Sequence, residues 1–243
     1  MKLILALIAL AAPLHAASES RAIEFTFYCL KYVPGLETIR IAKDGGFEEV
    51  RLSTANITTP VKLNVVENTA SFYGTTPSPG TQDKLPVAGK ARIPASIDKA
   101  LVVLVPNAPG SVEPYHSLVI DRSDANFRPG TYRIINFSKK SIRGAIGKSY
   151  IEAASGGIKD LELKGEPGAV QGVRFEFAHE GRWNRLTETR CAVRKDRRWL
   201  LCVYQEPGTE RINMRSIPDR THLLTNLPVS DNTVSGDTAS NPN

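Results

Sequence analysis

Short apolar runs with a period of two dominate the chain, and a helical period is hard to find beyond the first sixteen residues. Seven such runs precede residue 106: 23–32 (IEFTFYCLKY), 38–42, 48–53, 61–66, 70–74, 91–95 and 100–105. Nine more follow, at 115–121, 131–138, 142–147, 149–154, 158–164, 172–179, 184–194, 199–205 and 211–217. Pro34-Gly35, Asp44-Gly45-Gly46, Pro79-Gly80, Pro109-Gly110 and Pro129-Gly130 punctuate them. Many short strands broken by Gly and Pro predict sandwiches or barrels. With no helical stretch for crossover connections, antiparallel sheets are expected. In TYRIINFS, apolar residues fall on both alternating sets, so that strand is expected to be covered on both faces.

The predicted architecture is all-β, with two antiparallel immunoglobulin-like β-sandwich domains. Residues 17–106 form the first and 115–220 the second, which is basic. VPNAPGSVEP, with three prolines and a glycine, places a linker at 107–114. The opening MKLILALIALAAPLHAASES has one lysine, an apolar run and small residues at Ala16 and Ala17. That pattern reads as a signal peptide over 1–16, with a run too short for the roughly 20 residues of a membrane span. The protein is therefore expected in the periplasm or outside the cell, with no integral membrane segment once the signal is removed. Residues 221–243 are small, polar and without apolar period, which predicts a disordered tail.

Charge divides the chain. Ala17 to Glu113 has ten basic and ten acidic residues, whereas Pro114 to Arg220 has twenty basic and thirteen acidic. A one-sided field suits an anionic envelope polymer, or a second envelope protein, as partner. Nucleic acid is not expected as a ligand of an exported chain.

The densest stretch runs from Arg182 to Gln205 and holds both tryptophans. Read as a hairpin, it turns at Lys195–Arg198, pairs Arg194 with Trp199 and sets Cys191 opposite Cys202 as a non-hydrogen-bonded pair. Their Cα atoms would then lie roughly 4.5 Å apart, at the short end of disulfide geometry. Export favours the bridge. The reverse face and tip gather Arg190, Arg194, Lys195, Arg197 and Arg198 beside Trp199. Basic groups interleaved with an aromatic bind anions and stack on rings, which makes this tip the candidate ligand site.

Catalytic motifs are missing. The Gly147-Lys148-Ser149 triplet lacks the first glycine of a phosphate loop, because Ile142 stands there. Asp121, Asp124 and Asn126 lack the glycine and distal glutamate of a calcium loop. His116, His179 and His222 are too scattered for zinc. No cofactor, metal or catalytic residue is assigned, and the leading reading is a non-enzymatic structural or binding protein. The alternative is a carbohydrate-binding module or carbohydrate-active enzyme with Trp183 and Trp199 as platforms and Glu176 and Glu188 as carboxylates. Asn56 and Asn136 head glycosylation triplets.

The run FRPGTYRIINFSKKSIRGAIG, with LTETR, DRRWLL and RSIPDR, resembles an uncharacterised family of exported two-part β proteins from environmental bacteria. That resemblance implies all-β structure and export, and carries no activity.

Overall fold

The computed structural model describes residues 20–43, 45–76, 85–206, 208–209 and 211–219. The proposed signal peptide and polar tail lie outside these. All described secondary structure is β, with antiparallel and mixed sheets. The first eight strands are β1 (Ser20–Cys29), β2 (Thr38–Lys43), β3 (Gly46–Arg51), β4 (Val61–Val66), β5 (Thr69–Tyr73), β6 (Val87–Arg92), β7 (Lys99–Pro106) and β8 (Tyr115–Asp121). The next eight are β9 (Thr131–Asn136), β10 (Ile142–Ile146), β11 (Ser149–Ala153), β12 (Ile158–Glu162), β13 (Val170–His179), β14 (Arg182–Ala192), β15 (Arg198–Gln205) and β16 (Ile212–Asp219).

The strand order repeats. The second half forms two sheets, β12-β9-β15-β16 and β11-β10-β13-β14. The first half has the same two ladders shifted by eight strands, β4-β1-β7-β8 and β3-β2-β5 with β6 on β5. There the ladders merge into one eight-stranded sheet through a tight β4–β5 turn at Glu67 and Asn68. Both turn residues have positive φ, 53° and 57°, as the hairpin-compatible two-residue turn demands. The chain is thus a structural duplication, although its halves share no readable residue repeat.

Two findings depart from the antiparallel expectation. β1 pairs with β7 in parallel, and β9 pairs with β15 in parallel. The intervening strands of each half serve as the crossover that a helix supplies elsewhere. In addition, residues 107–114, expected as a linker, form the loop of the antiparallel β7–β8 hairpin. β8 therefore completes a sheet of the first half. The passage between halves is the segment 122–130 instead.

Apolar alternation now explains the layers. One hydrophobic cluster fills the first half, with Phe25, Phe27, Ile39, Ile41, Phe72 and Val102. A second fills the space between the two sheets of the second half, with Ile134, Ile146, Phe175, Leu201 and Val203. A third lies between the halves: Tyr28, Leu30, Leu101 and Val103 meet Ile135, Leu200, Cys202 and Ile217. The β4-β1-β7-β8 and β12-β9-β15-β16 ladders therefore pack face to face, and their central strands are covered on both sides. All six residues of β9 are buried.

At one end of this seam sits a charged knot. Asp219 is fully buried and receives Arg198 at 3.0 Å and Arg122 at 3.4 Å. Arg122 also donates to Thr26 Oγ1 at 2.8 Å, tying β1 to the knot. Arg198 donates to the carbonyls of Arg122 and Phe127 at 3.0 and 2.8 Å. The Phe127 ring is fully buried between the guanidiniums of Arg133 and Arg198, at 4.5 and 5.1 Å from its centre. Arg133 completes the clasp with a two-pronged pair to Asp160 at 2.7 Å. Removing one partner of such a buried set strands the others' charge. Asp219→Ala is expected to lower the unfolding free energy by roughly 3–5 kcal/mol. Loss of the exposed Arg40–Glu49 pair by Glu49→Ala should cost under about 1 kcal/mol. Urea titration of the two variants checks the contrast.

Candidate functional site

The stretch from Arg182 to Gln205 does not fold as a hairpin. β14 pairs with β13 in one sheet, and β15 pairs with β9 and β16 in the other. Residues 193–197 cross from the outer sheet to the inner one. The cause is apolar content: Leu200, Cys202 and Tyr204 face the seam while Leu201 and Val203 face the second-half core. A strand buried on both sides takes a central place, which a β14–β15 hairpin at the sheet edge cannot give it.

The proposed disulfide fails for the same reason. Cys202 lies in the seam cluster, Cys191 packs against the second-half core on another sheet, and all three cysteines are free thiols. Burial pushes the Cys202 thiol up to about 12 and Cys29 to about 11, and it raises Cys191 as well.

The six candidate ligand residues separate. Arg198 is 1% exposed and belongs to the seam knot, where it also pairs with Asp124 at 3.0 Å, so it is an anchor and not a surface cation. Arg197 is half-buried and pairs with its neighbour Asp196 at 2.8 Å. Arg194 and Lys195 are exposed beside Pro167 and Gly168. Trp199 faces inward and stacks on Tyr132, with ring centres 5.8 Å apart and planes 10° from parallel. Arg190, on the edge strand β14, borders both a trough on the outer face and a cavity between the two sheets.

That cavity, about 330 Å³, is lined chiefly by Tyr132, Ile146, Cys191, Trp199, Leu201 and Met214. The Tyr132 hydroxyl sits beside the Cys191 thiol, and burial raises its pKa to about 12, so it stays protonated. Arg194 and Arg197 lie close enough to act on it electrostatically. Sequence reading missed Tyr132, which alternation marks only as one more buried strand residue.

The outer face of the β11-β10-β13-β14 sheet is polar. Its trough, about 620 Å³, opens over Ala145 and Gly172, between Arg174, Glu188 and Arg190. Trp183 is 38% exposed there with Arg143 over its ring at 4.4 Å, and Tyr150 is 59% exposed. The two tryptophans thus occupy opposite faces of different sheets and cannot form one platform. Glu176 bonds Arg143 at 2.7 Å and Arg174 at 2.6 Å, and these hydrogen bonds lower its pKa. A glycosidase acid needs the opposite shift. Glu188 pairs with Arg185 at 3.4 Å.

Two smaller readings also meet structure. Asn136 is fully buried and donates to the carbonyls of Lys140, Ala153 and Ala154, so it is a structural clasp and not a glycan acceptor. Asp121 is engaged by Ser123 and Asn126, and Asp124 by Arg198, and among the described residues no cluster of metal-ligating groups occurs. No helix among them is long and apolar enough to cross a membrane.

Alkylation in denaturant without reductant is expected to add three adducts per chain, whereas a single adduct would mean a bridge. In the native state Cys191 should react first, because its thiol is only half-buried and raised thiol pKa values leave little thiolate at neutral pH. Intact-mass spectrometry follows both. No protein-family model matches this chain, and no curated protein matches it significantly.

Proposed function

We propose that this chain is a non-enzymatic, exported binding protein that holds an acidic envelope polymer along the β14 edge of its second half. In this reading each half is a rigid layered scaffold of the immunoglobulin-like kind. The single observation that carries the proposal is a row of exposed cations that belong to no salt bridge. Arg182, Arg190, Arg194 and Lys195 are exposed on β14 and the crossover after it, and none has a carboxylate within salt-bridge distance among the described residues.

From Arg182 to Arg190 the row spans roughly 27 Å of extended strand, the scale of a polymer segment and not of one small anion. Carboxylates nearby are already used: Glu188 by Arg185, Glu176 by Arg143 and Arg174, Asp196 by Arg197. The same charges guard an eleven-residue edge strand against pairing with another chain. Trp183, braced by Arg143, adds a ring face beside the row on which a sugar can stack.

Attraction between exposed charges weakens as salt shortens the screening length from about 10 Å at 0.1 M towards about 3 Å at 1 M. Affinity for polygalacturonate is therefore expected to fall steeply with sodium chloride, and to be lost in a variant with Arg182, Arg190, Arg194 and Lys195 all changed to Glu. Calorimetric titration measures it. Equal, salt-insensitive binding of neutral dextran would favour the carbohydrate-module reading instead. Binding unaffected by the four substitutions would end the proposal.

A further inference from the structure

The duplication supplies an internal control for the cavity between the sheets of the second half. In the first half, the strands equivalent to β14 and β16 are β6 and β8, and these close on each other extensively. Gly89 of β6 lies so near Tyr115 of β8 that an added Cβ would come within 2.8 Å of the Tyr115 carbonyl oxygen. Tyr115 is buried, and its hydroxyl accepts from Val33 N at 2.8 Å and donates to the Leu36 carbonyl at 3.3 Å. In the second half β14 and β16 touch only slightly, and the cavity of about 330 Å³ occupies the gap. That volume lies within the usual range of small-molecule sites, about 300–1,000 Å³.

Register orders the lining. Trp199 pairs with Tyr132, Leu201 with Ser216, and Val203 with Met214. The Trp199–Tyr132 row and the Met214 row are therefore roughly 13 Å apart along β15. One end offers donors. The Trp199 indole N–H is buried with no hydrogen-bond partner, and the Tyr132 hydroxyl has only the neighbouring Cys191 thiol, a weak one. Arg190 stands at this end of β14 next to Cys191, without a carboxylate partner among the described residues. The rest of the lining is mainly apolar, from Leu201, Met214, Ile146 and Val173, with the hydroxyls of Thr187, Thr189 and Ser216 among them. No acidic side chain lines the cavity. Donors and positive charge at one end, with mainly apolar walls beyond, fit an amphipathic anion.

We propose that this cavity binds a small monocarboxylate with an apolar body. Its carboxylate accepts from the Trp199 indole and the Tyr132 hydroxyl and is neutralised by Arg190, while its tail lies along Leu201 and Met214. The site goes beyond polymer binding on the outer edge; Arg190 lines both, and Arg194 of the edge row also acts on the Tyr132 end.

Sodium octanoate is the probe. In a Trp183→Phe background, tryptophan emission reports on Trp199 alone. Octanoate is expected to change that emission saturably with a Kd below about 1 mM, and octylamine to bind at least about tenfold more weakly. Arg190→Gln should weaken octanoate about tenfold, while Arg182→Glu with Lys195→Glu should reduce polygalacturonate binding and leave octanoate unchanged. Cys191→Phe, which fills the donor end, should abolish the response. Octanoate should also slow alkylation of Cys191 in the otherwise unaltered protein, a readout that does not depend on a folded cavity variant. The proposal is overturned by no saturable change, by equal binding of octylamine, or by an undiminished rate of Cys191 alkylation.

Discussion

The structure depends on the face-to-face contact between two equivalent four-stranded ladders, one from each half. Each ladder places two central strands, β1 and β7 or β9 and β15, between two apolar layers. A strand in that position can expose neither set of alternating side chains, so both are mainly apolar and the exceptions, such as Arg133, Asn136 and Arg198, are hydrogen-bonded. Closing the seam brings Arg122, Arg198 and Asp219 out of water together. That burial is tolerable only because the carboxylate, the carbonyls of residues 122 and 127, and the Phe127 ring share the charge. The inter-half segment is thus a clasped element and not a free tether.

The two halves share one strand order and differ in how closely their last outer and last inner strands meet. In the first, the outer strands close over a filled core and charges balance along the sequence. The second relaxes the contact between its last outer strand and its last inner strand, leaving a cavity floored by Tyr132 and Trp199. The exposed Arg182 and Arg190 lie on β14, the strand that borders the opening. The edge charges and the cavity lie together where β14 parts from β16.

Legibility varied with the range of the interaction concerned. Because side-chain facing is a property of the local backbone, period-two alternation located fifteen of the sixteen strands; it misplaced β6, whose run at 91–95 overlaps it only at Ala91 and Arg92. It also marked TYRIINFS as covered on two sides. Pairing was misread where it seemed most local. The short KDRR connection suggested a hairpin, yet its two strands belong to different sheets, since WLLCVYQ carries apolar residues on both faces. That one error misplaced Cys191 opposite Cys202 and put Arg198 at a surface tip. Asn136 carried no signal in its glycosylation triplet that could distinguish a buried clasp from an exposed acceptor.

By itself the sequence determined that this protein is built of strands, where nearly all of them lie, and that positive charge concentrates in the second half. Alternation and composition are written residue by residue, so these properties need no partner to be defined. Tertiary structure alone decided the parallel pairings, the sheet each strand joins, the burial of Arg198 against Asp219, and the cavity between Trp199 and Met214. Each of these joins groups far apart in the chain, and their energies exist only once the apolar layers have fixed which faces meet.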